Sequence, residues 1–193
     1  MMNDKKIHIP VSVAKALLIT AATLDVRYYL TGINVVIQNG ECNLASTDGH
    51  RLAYCKIEHE GFADDEVVND IIPRQVFEML LSNKDYLRSR GRDKQITLIK
   101  SGKHWFSDCN WFEMGINPID GAYPDWRRVI PKPDDLTDSE SIINVKYLID
   151  LHKIAKILGK QLTGIRTNGN HAASAIFAAG GSEFNVVVMP MRI

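Results

Sequence analysis

Hydrophobic residues follow a helical spacing in three segments of the chain. Residues 9–18, IPVSVAKALL, and residues 72–81, IPRQVFEMLL, share Ile, Pro, Val, Leu and Leu at the same five offsets, 63 residues apart. In both segments the proline stands at the start of the helix, where its missing N–H group costs nothing. The apolar residues recur with the 3.6-residue period of a helix that buries one face. Residues 145–159 are predicted to form a third helix of this kind.

Each predicted helix is followed by three strand-like runs. After the first helix they cover residues 27–38, 41–47 and 50–57, and the dipeptides Asn39-Gly40 and Asp48-Gly49 are hairpin-turn signals between them. The corresponding runs cover 95–100, 103–107 and 111–116 after the second helix, and 162–167, 171–178 and 183–189 after the third. Repetition of such a unit is typical of stacked modules. The sequence therefore predicts an α+β fold with three helix-plus-three-strand modules.

The best linker candidate is the stretch from Pro133 to Ser141, PDDLTDSES, which is rich in turn-forming and acidic residues. We therefore divide the chain into residues 1–133, which hold the first two modules, a linker at 134–141, and a single third module at 142–193.

Composition restricts the class of protein. The 193 residues are 45% hydrophobic, enough to bury a core, and 23 basic residues balance 23 acidic ones. Any binding of nucleic acid must therefore rest on local basic patches. Cys42, Cys55 and Cys109 are far apart and odd in number, which favours free thiols over disulfides. Without a signal peptide or a membrane-length apolar run, we expect a cytoplasmic protein that has no membrane contact.

The third predicted helix carries lysines opposite its apolar side. With about 100° between successive residues, one side collects Leu148, Leu151, Ile154, Ala155 and Leu158, and the other Lys146, Lys153, Lys156 and Lys160. A second basic cluster follows the second helix and consists of Lys84, Arg88, Arg90, Arg92 and Lys94. Either cluster alone is explained by a solvated helix face. Because both lie at equivalent ends of repeated modules, together they favour a surface that contacts phosphates.

The stretch STDGHRLAYCK, residues 46–56, raises the question of catalysis. Asp48 and His50 could be metal ligands or an acid–base pair, but a metal site needs three or four ligands, and no matching spacing accompanies them. A nucleophile elbow and a phosphate-binding glycine loop are also missing from the sequence. We therefore expect no enzymatic activity, no metal and no cofactor, and we interpret Asp48-Gly49 as a turn.

Five motifs resemble the bacterial DNA polymerase III β subunit, the sliding clamp, in the same order along the chain. They are DVRYYLTG at 25–32, TDGHRLA at 47–53, IIPRQVFEMLL at 71–81, DGAYPDWRRVIPK at 120–132 and VVVMPMRI at 186–193. The resemblance covers about residues 9–133 and 142–193 and implies the DNA-clamp fold. In that family, helices line the hole of a ring and face DNA, while continuous sheets form the outside.

The resemblance also defines what is shortened here. A family chain has three domains of two modules each, and two chains close the ring. The first two modules here resemble the family's middle domain, and the third resembles the second half of its last domain. The family's first domain and the first half of its last domain have no counterpart in this sequence, which puts ordinary ring closure in question.

Two sets of binding residues follow from the resemblance. In the family, short peptides of partner proteins dock between the middle and last domains. The matching positions here are Leu30, Thr47, Gly49, His50, Arg51, Leu52, Pro124, Arg128, Val129, Val187, Met189, Pro190, Met191 and Arg192. The positions expected to face DNA are Arg27, Tyr28, Tyr29, Lys84, Arg88, Arg90, Arg92, Lys146, Lys153, Lys156 and Lys160. Apolar side chains, flexible methionines among them, would form the pocket, with His50 and the arginines at its rim.

The resemblance thus predicts a sliding-clamp-like processivity factor of DNA replication. It would hold double-stranded DNA without sequence specificity and bind short motifs of polymerases and repair proteins; a clamp loader is a further candidate partner. The alternative is a peptide-binding clamp mimic that sequesters clamp partners without encircling DNA.

The assembly of the chain is a separate expectation. The third module has no second module to complete its domain, so we expect another chain to cover the apolar face of its helix. The result would be a homo-oligomer, either a dimer or a tetrameric ring. In a monomer, residues 142–193 would instead fold back on the first two modules.

Overall fold

The computed structural model describes residues 4–89, 94–108, 113–132, 142–161, 165–167, 173–179 and 182–191. The strands are β1 (Lys5–Pro10), β2 (Gly32–Gln38), β3 (Glu41–Thr47), β4 (Arg51–Glu60), β5 (Val68–Pro73), β6 (Gln95–Ser101), β7 (His104–Asp108), β8 (Glu113–Ile116), β9 (Ala173–Ala179) and β10 (Ser182–Val188). The helices are α1 (Val11–Thr20), α2 (Arg74–Ser82), α3 (Lys84–Ser89) and α4 (Val145–Ile157). Short 3₁₀ turns cover Tyr28–Thr31 and Trp126–Val129.

Local sequence signals explain where several elements begin and end. Asn39 and Gly40 both have positive φ angles, 53° and 69°, as the tight turn between β2 and β3 requires. The Asn144 side chain accepts a hydrogen bond from the Lys146 N–H group at 2.9 Å and so caps α4. Asn83 does the same for the Tyr86 N–H group at the start of α3. The hairpin prediction and the three long helices are confirmed.

Three local features differ from the sequence-based prediction. A strand precedes each of the first two helices, because the apolar residues of β1 and β5, such as Ile7 and Ile72, are buried in the core. The predicted strand at 27–38 begins only at Gly32, since the Leu30 N–H group bonds to the Arg27 carbonyl and forms a turn. Helix α3 was not predicted, because its six residues are too few to show a helical period.

The described strands form a ten-stranded arrangement in which β4 has the central place. The main order is β5-β2-β3-β4-β1-β6-β7-β8, with β10 also paired to β4 and β9 to β10. The start of β4 pairs with β3 on one side and β10 on the other, and its end pairs with β1. All these pairings are antiparallel, so one long strand joins the sheets of the first and third modules.

The expectation that another chain covers the apolar face of the third module's helix is wrong, because residues of the same chain cover it. Helix α4 packs on α1, and β10 extends the sheet of the first module. Leu151 and Ile154 are 2% and 1% exposed and belong to the same core as Leu17 of α1. The edge of β4 pairs with β10, and the apolar side of α1 covers the apolar face of α4. This is the fold-back arrangement considered above. The predicted linker, 134–141, lies outside the described residues.

Two of the three cysteines agree with the expectation of buried free thiols. Cys42 and Cys55 are buried free thiols, and burial raises the pKa of Cys42 to about 12. Cys109 is outside the described residues. No helix in the described part of the chain has the length and apolar character needed to cross a bilayer.

Truncation of Ile154 tests the docking of α4. We expect Ile154→Ala to lower the free energy of unfolding by about 2–5 kcal/mol, because it leaves a cavity between α4 and the core. Ile149 lies on the same helix but is 53% exposed, so Ile149→Ala should change it by less than about 0.5 kcal/mol. Urea unfolding of both variants is the measurement, and equal losses would contradict the docking.

Candidate functional site

The turn from Thr47 to Leu52 is fixed by its own hydrogen bonds. Asp48 Oδ1 accepts from the N–H groups of His50 and Arg51, both at 3.0 Å. Thr47 Oγ1 accepts from the Gly49 N–H group at 3.0 Å and donates to the Arg51 carbonyl at 2.7 Å. The φ angle of Gly49 is +89°, in the left-handed region that favours glycine. The interpretation of Asp48-Gly49 as a turn is therefore confirmed. The Asp48 carboxylate stabilises this turn by accepting backbone hydrogen bonds.

A cavity of about 210 Å³ opens beside this turn. Four parts of the chain surround it: the 3₁₀ turn after α1, the β3–β4 turn, the segment around Trp126, and the end of β10. Its lining residues are Arg27, Leu30, Thr47, Gly49, Arg51, Leu52, Pro124, Asp125, Trp126, Val129, Val187 and Met189. We call this cavity the groove. Most of its lining is apolar, with a few polar groups at the edge, which is the usual character of a ligand pocket.

Two aromatic residues hold the segment around Trp126 against the sheet. The Tyr123 hydroxyl accepts a hydrogen bond from the Thr47 N–H group at 3.0 Å, and burial raises the pKa of Tyr123, so the phenol stays neutral. The Trp126 indole N–H group donates to Asn34 Oδ1 at 3.3 Å. Trp126 also packs with Leu52 and Val187 in a small apolar cluster that forms the floor of the groove.

The last strand supplies the opposite wall. Val187 pairs with Leu52 in the β10–β4 register, and the Met189 N–H group donates to the His50 carbonyl at 2.8 Å. Val187 is buried, whereas the Met189 side chain is 38% exposed at the mouth of the groove. A flexible thioether in this position can adapt to side chains of different shape.

Arg51 connects the groove to helix α4. Its Nε atom donates to Asp48 Oδ2 at 3.0 Å, its Nη1 atom donates to Asp150 Oδ2, and its guanidinium lies 5.2 Å from the centre of the Tyr147 ring. Lys153 Nζ also donates to Asp150, at 2.9 Å. Burial opposes ionisation of Asp150, but the hydrogen bonds from Lys153 and Arg51 outweigh it and lower its pKa. The side chain of Arg51 is only 10% exposed, so its two carboxylate partners are needed to compensate its charge.

A second cavity, of about 430 Å³, lies on the helical side of Arg51. It is bordered by the end of α1, the start of α2 and one side of α4, and its charged lining residues are Asp25, Asp48, Arg51, Arg74, Lys146, Asp150 and Lys153. The groove and this second cavity thus share Arg51 as a common wall. Among the residues described, no group of three or more His, Cys, Asp and Glu side chains is arranged to hold a metal ion.

Most of the predicted peptide-binding positions line the groove. Those that do are Leu30, Thr47, Gly49, Arg51, Leu52, Pro124, Val129, Val187 and Met189. His50 instead stacks on Tyr147 outside it, and Arg128 is an exposed ion-pair partner of Asp125. Pro190 and Met191 follow the end of β10, and Arg192 lies outside the described residues.

The residues expected to face DNA are more dispersed. Lys146 and Lys153 line the second cavity, Lys156 lies on the exposed side of α4, and Lys160 is exposed just after the helix ends. Lys84 and Arg88 lie on α3, and Arg90 and Arg92 fall outside the described residues. Arg27 lines the groove and binds Asp25 at 2.9 Å; this hydrogen bond lowers the pKa of Asp25 to about 2. Tyr28 and Tyr29 make an edge-to-face contact beside it.

Sequence reasoning missed two lining residues, Asp125 and Trp126, and placed Arg27 with the DNA contacts. All three lie inside motifs that the sequence analysis quoted. An aromatic residue within an otherwise polar stretch, PDWRR, is the signal that could have identified Trp126.

Residues 9–125 match the family model of the DNA polymerase III beta subunit, central domain. The chain belongs to the DNA polymerase III beta subunit family. Related curated proteins of this family include the beta sliding clamp of Pseudomonas aeruginosa, 30% identical over 117 residues, or 59% of this chain and 29% of that protein. The beta sliding clamp of Rickettsia bellii is 29% identical over 163 residues, 83% of this chain and 41% of that protein. The chain thus spans less than half the length of either protein.

Solved clamp structures have the same fold. The Helicobacter pylori beta clamp in complex with diflunisal superposes with a TM-score of 0.71 at 13% identity, over 98% of this chain and 66% of that one. The beta subunit from Pseudomonas aeruginosa gives a TM-score of 0.69 at 21% identity, over 97% and 66%. The predicted α+β DNA-clamp fold is therefore confirmed for this beta-subunit chain.

The ion pair of Asp150 should contribute stability that depends on pH. Because the folded-state pKa of Asp150 is below its ordinary value of 3.8, the contribution is present above that value and is lost as the pH falls through the folded-state pKa. We expect Asp150→Asn to cost about 1–3 kcal/mol at neutral pH and progressively less below about pH 4. Urea unfolding across this range measures it. Asp85→Asn, at an exposed pair with Arg88, is the control, and an equal effect would contradict the role of Asp150.

Proposed function

We propose that this chain is a DNA processivity factor of the sliding-clamp type, which binds partner proteins through short peptides in the groove. The observation that supports it most is the groove itself, in which four separate segments bring nine predicted peptide-binding residues to one apolar cavity. The names of the relatives, beta sliding clamp, point to DNA replication as the process. The role requires no chemical step, so the proposal assigns no catalytic residue.

Peptide recognition follows from the chemistry of the lining. Leu52, Val187 and Trp126 form a dry floor that suits bulky aliphatic or aromatic side chains. The polar edge, with Arg27 and the backbone of the Thr47–Leu52 turn, suits a side-chain amide such as glutamine. A few buried anchor residues would then provide most of the affinity. Polymerases and repair proteins that carry such a motif are the proposed partners.

DNA would be held on the helical side of the sheet, through phosphates and without sequence preference. The lysines of α4 and the cations of α3 are exposed there, and contacts to phosphates carry no sequence information. We further propose that the chain works as a homo-oligomer, either a dimer or a tetrameric ring, and that a clamp loader is a candidate partner.

The second candidate function is a clamp mimic that binds the same peptides without encircling DNA. The balanced net charge favours it, as does the ion pair that partly neutralises Lys153. Retention on DNA separates the two functions. An encircling clamp stays on closed circular DNA and slides off linear DNA, whereas a mimic behaves alike with both.

Val129→Asp tests the groove. Val129 is 41% exposed, so the fold should tolerate the change, but a carboxylate in the apolar lining should weaken binding of a glutamine-containing peptide at least about tenfold. Fluorescence anisotropy with a labelled peptide is the measurement. Val67→Asp, 66% exposed and outside the lining, is the matched control. Unchanged affinity in Val129→Asp would refute the assignment.

Two lysines, one in the last turn of α4 and one just after the helix, test the DNA surface. The double variant Lys156→Gln/Lys160→Gln should bind DNA more weakly and reduce the slope of log K against log salt by about 2, because each phosphate contact contributes about 0.9. The double variant Lys56→Gln/Lys103→Gln removes the same charge from exposed strand and turn positions and should leave the slope close to that of the parent. Equal slopes for the two double variants would mean that DNA binding depends on the overall charge of the protein and not on the lysines at the end of α4.

A further inference from the structure

The indole N–H group of Trp126 is directed toward strand β2 and not into the groove. It donates to Asn34 Oδ1 at 3.3 Å, and the two residues are 5% and 1% exposed. This distance is at the long end for such a bond, but both groups are buried, so water is not an alternative partner. Trp126 lines the groove and Asn34 does not. The bond therefore turns the one polar atom of the indole away from a ligand in the groove.

The orientation of the Asn34 amide is fixed from its other end. Its Nδ2 atom donates to Asn69 Oδ1 at 2.8 Å and to the Asp70 carbonyl at 3.3 Å. A carbonyl can only accept, so the amide nitrogen has to face β5 and the amide oxygen has to face Trp126. A flipped amide would bring two donors together at one end and acceptors together at the other.

The indole ring itself is held by its neighbours. The Arg127 guanidinium lies 4.3 Å from the ring centre, and the centre of the Tyr54 ring lies 5.2 Å from it. Leu52 and Val187 belong to the same apolar cluster. A side chain that reaches the floor of the groove therefore meets apolar atoms and finds no hydrogen-bond donor on Trp126.

We propose that Asn34 is a specificity-determining residue of the groove, because it keeps the Trp126 N–H group away from the ligand. The peptide side chain that reaches the floor is then one without a polar end, such as leucine or phenylalanine. A tyrosine in its place would bury a hydroxyl group that the indole does not bind, which is unfavourable. Asn34 acts through Trp126 and does not touch the peptide. The inference rests on the proposed peptide binding and adds to it the class of anchor residue and the residue that selects it.

Two peptides that differ by one hydroxyl group test this role. Both contain a glutamine and end in Leu-Phe or in Leu-Tyr, and fluorescence anisotropy gives their dissociation constants. The parent should bind the Phe peptide at least about fivefold more tightly than the Tyr peptide. In Asn34→Leu the released indole N–H group can donate to the tyrosine hydroxyl, so this ratio should fall at least about threefold. A purely structural role of Asn34 would weaken both peptides alike and leave the ratio unchanged.

Trp126→Phe supplies the second arm of the experiment. This variant alone should keep the preference for the Phe peptide, and Asn34→Leu should not change the ratio in its background, because no indole N–H group is left to release. Asn43→Leu is the matched control. It makes the same substitution on the neighbouring strand β3, on the same face of the sheet and outside the lining, and it should keep the ratio of the parent. Urea unfolding shows whether each variant is folded.

The indole proton of Trp126 provides a measurement that needs no substitution at Asn34. In heteronuclear NMR of the parent, the indole signal that Trp126→Phe removes should exchange slowly with solvent, since its proton is donated to a buried acceptor. Fast exchange of this proton would overturn the proposal. So would a parent without preference for the Phe peptide, an equal ratio in the parent and Asn34→Leu, or the same change of the ratio in the Trp126→Phe background. A parent that binds neither peptide would instead refute the proposed peptide binding, and this inference with it.

Discussion

Strand β10 pairs with β4 over five residues, from Phe184–Cys55 to Val188–Arg51, and the rest of the site depends on this pairing. It joins the third module to the sheet of the first module, although the two are separated by a complete second module in the sequence. It also sets the register in which Val187 faces Leu52, so that both contribute to the floor of the groove. A slip of one residue would turn Val187 to the opposite face of the sheet and remove it from this floor.

Arg51 also connects the first module to the third, because it pairs with Asp48 of the β3–β4 turn and with Asp150 of α4. Its guanidinium is nearly buried between Asp48 of the β3–β4 turn and Asp150 of α4. A buried charge is costly unless it is paired, so the position of α4 and the shape of the turn are tied to one another. The groove and the second cavity meet at this residue. A ligand that displaced Lys153 from Asp150 would therefore change the electrostatic environment of a residue that lines the groove.

The four described helices share one core. α1 packs between α2 and α4, and one continuous core runs from Ile7 to Trp105 and to Ile154. The described part of the chain is therefore well packed.

The helices, the hairpin turns and the family resemblance could be predicted from the sequence, because each depends on residues that are close together along the chain. Helical spacing, Asn39-Gly40 and the Asp48-Gly49 turn act over a few residues, so their physical effect is visible in the sequence itself. The short strand β1 and the helix α3 were not predicted, because six residues show too little periodicity. Most lining residues of the groove were also found, since they lie in motifs that resemble the clamp family, but Asp125, Trp126 and Arg27 were not assigned to it.

The sequence by itself therefore determined which segments become helices and strands, and which motifs carry the polar and apolar groups of the site. Only the tertiary structure decided which module covers which. The apolar face of α4 is equally compatible with a partner from another chain or from its own, and the choice was made by the free edge of β4 and the side of α1. Such contacts join residues about 100 positions apart, such as Arg51 and Asp150. Their energy depends on burial and geometry that no local pattern encodes.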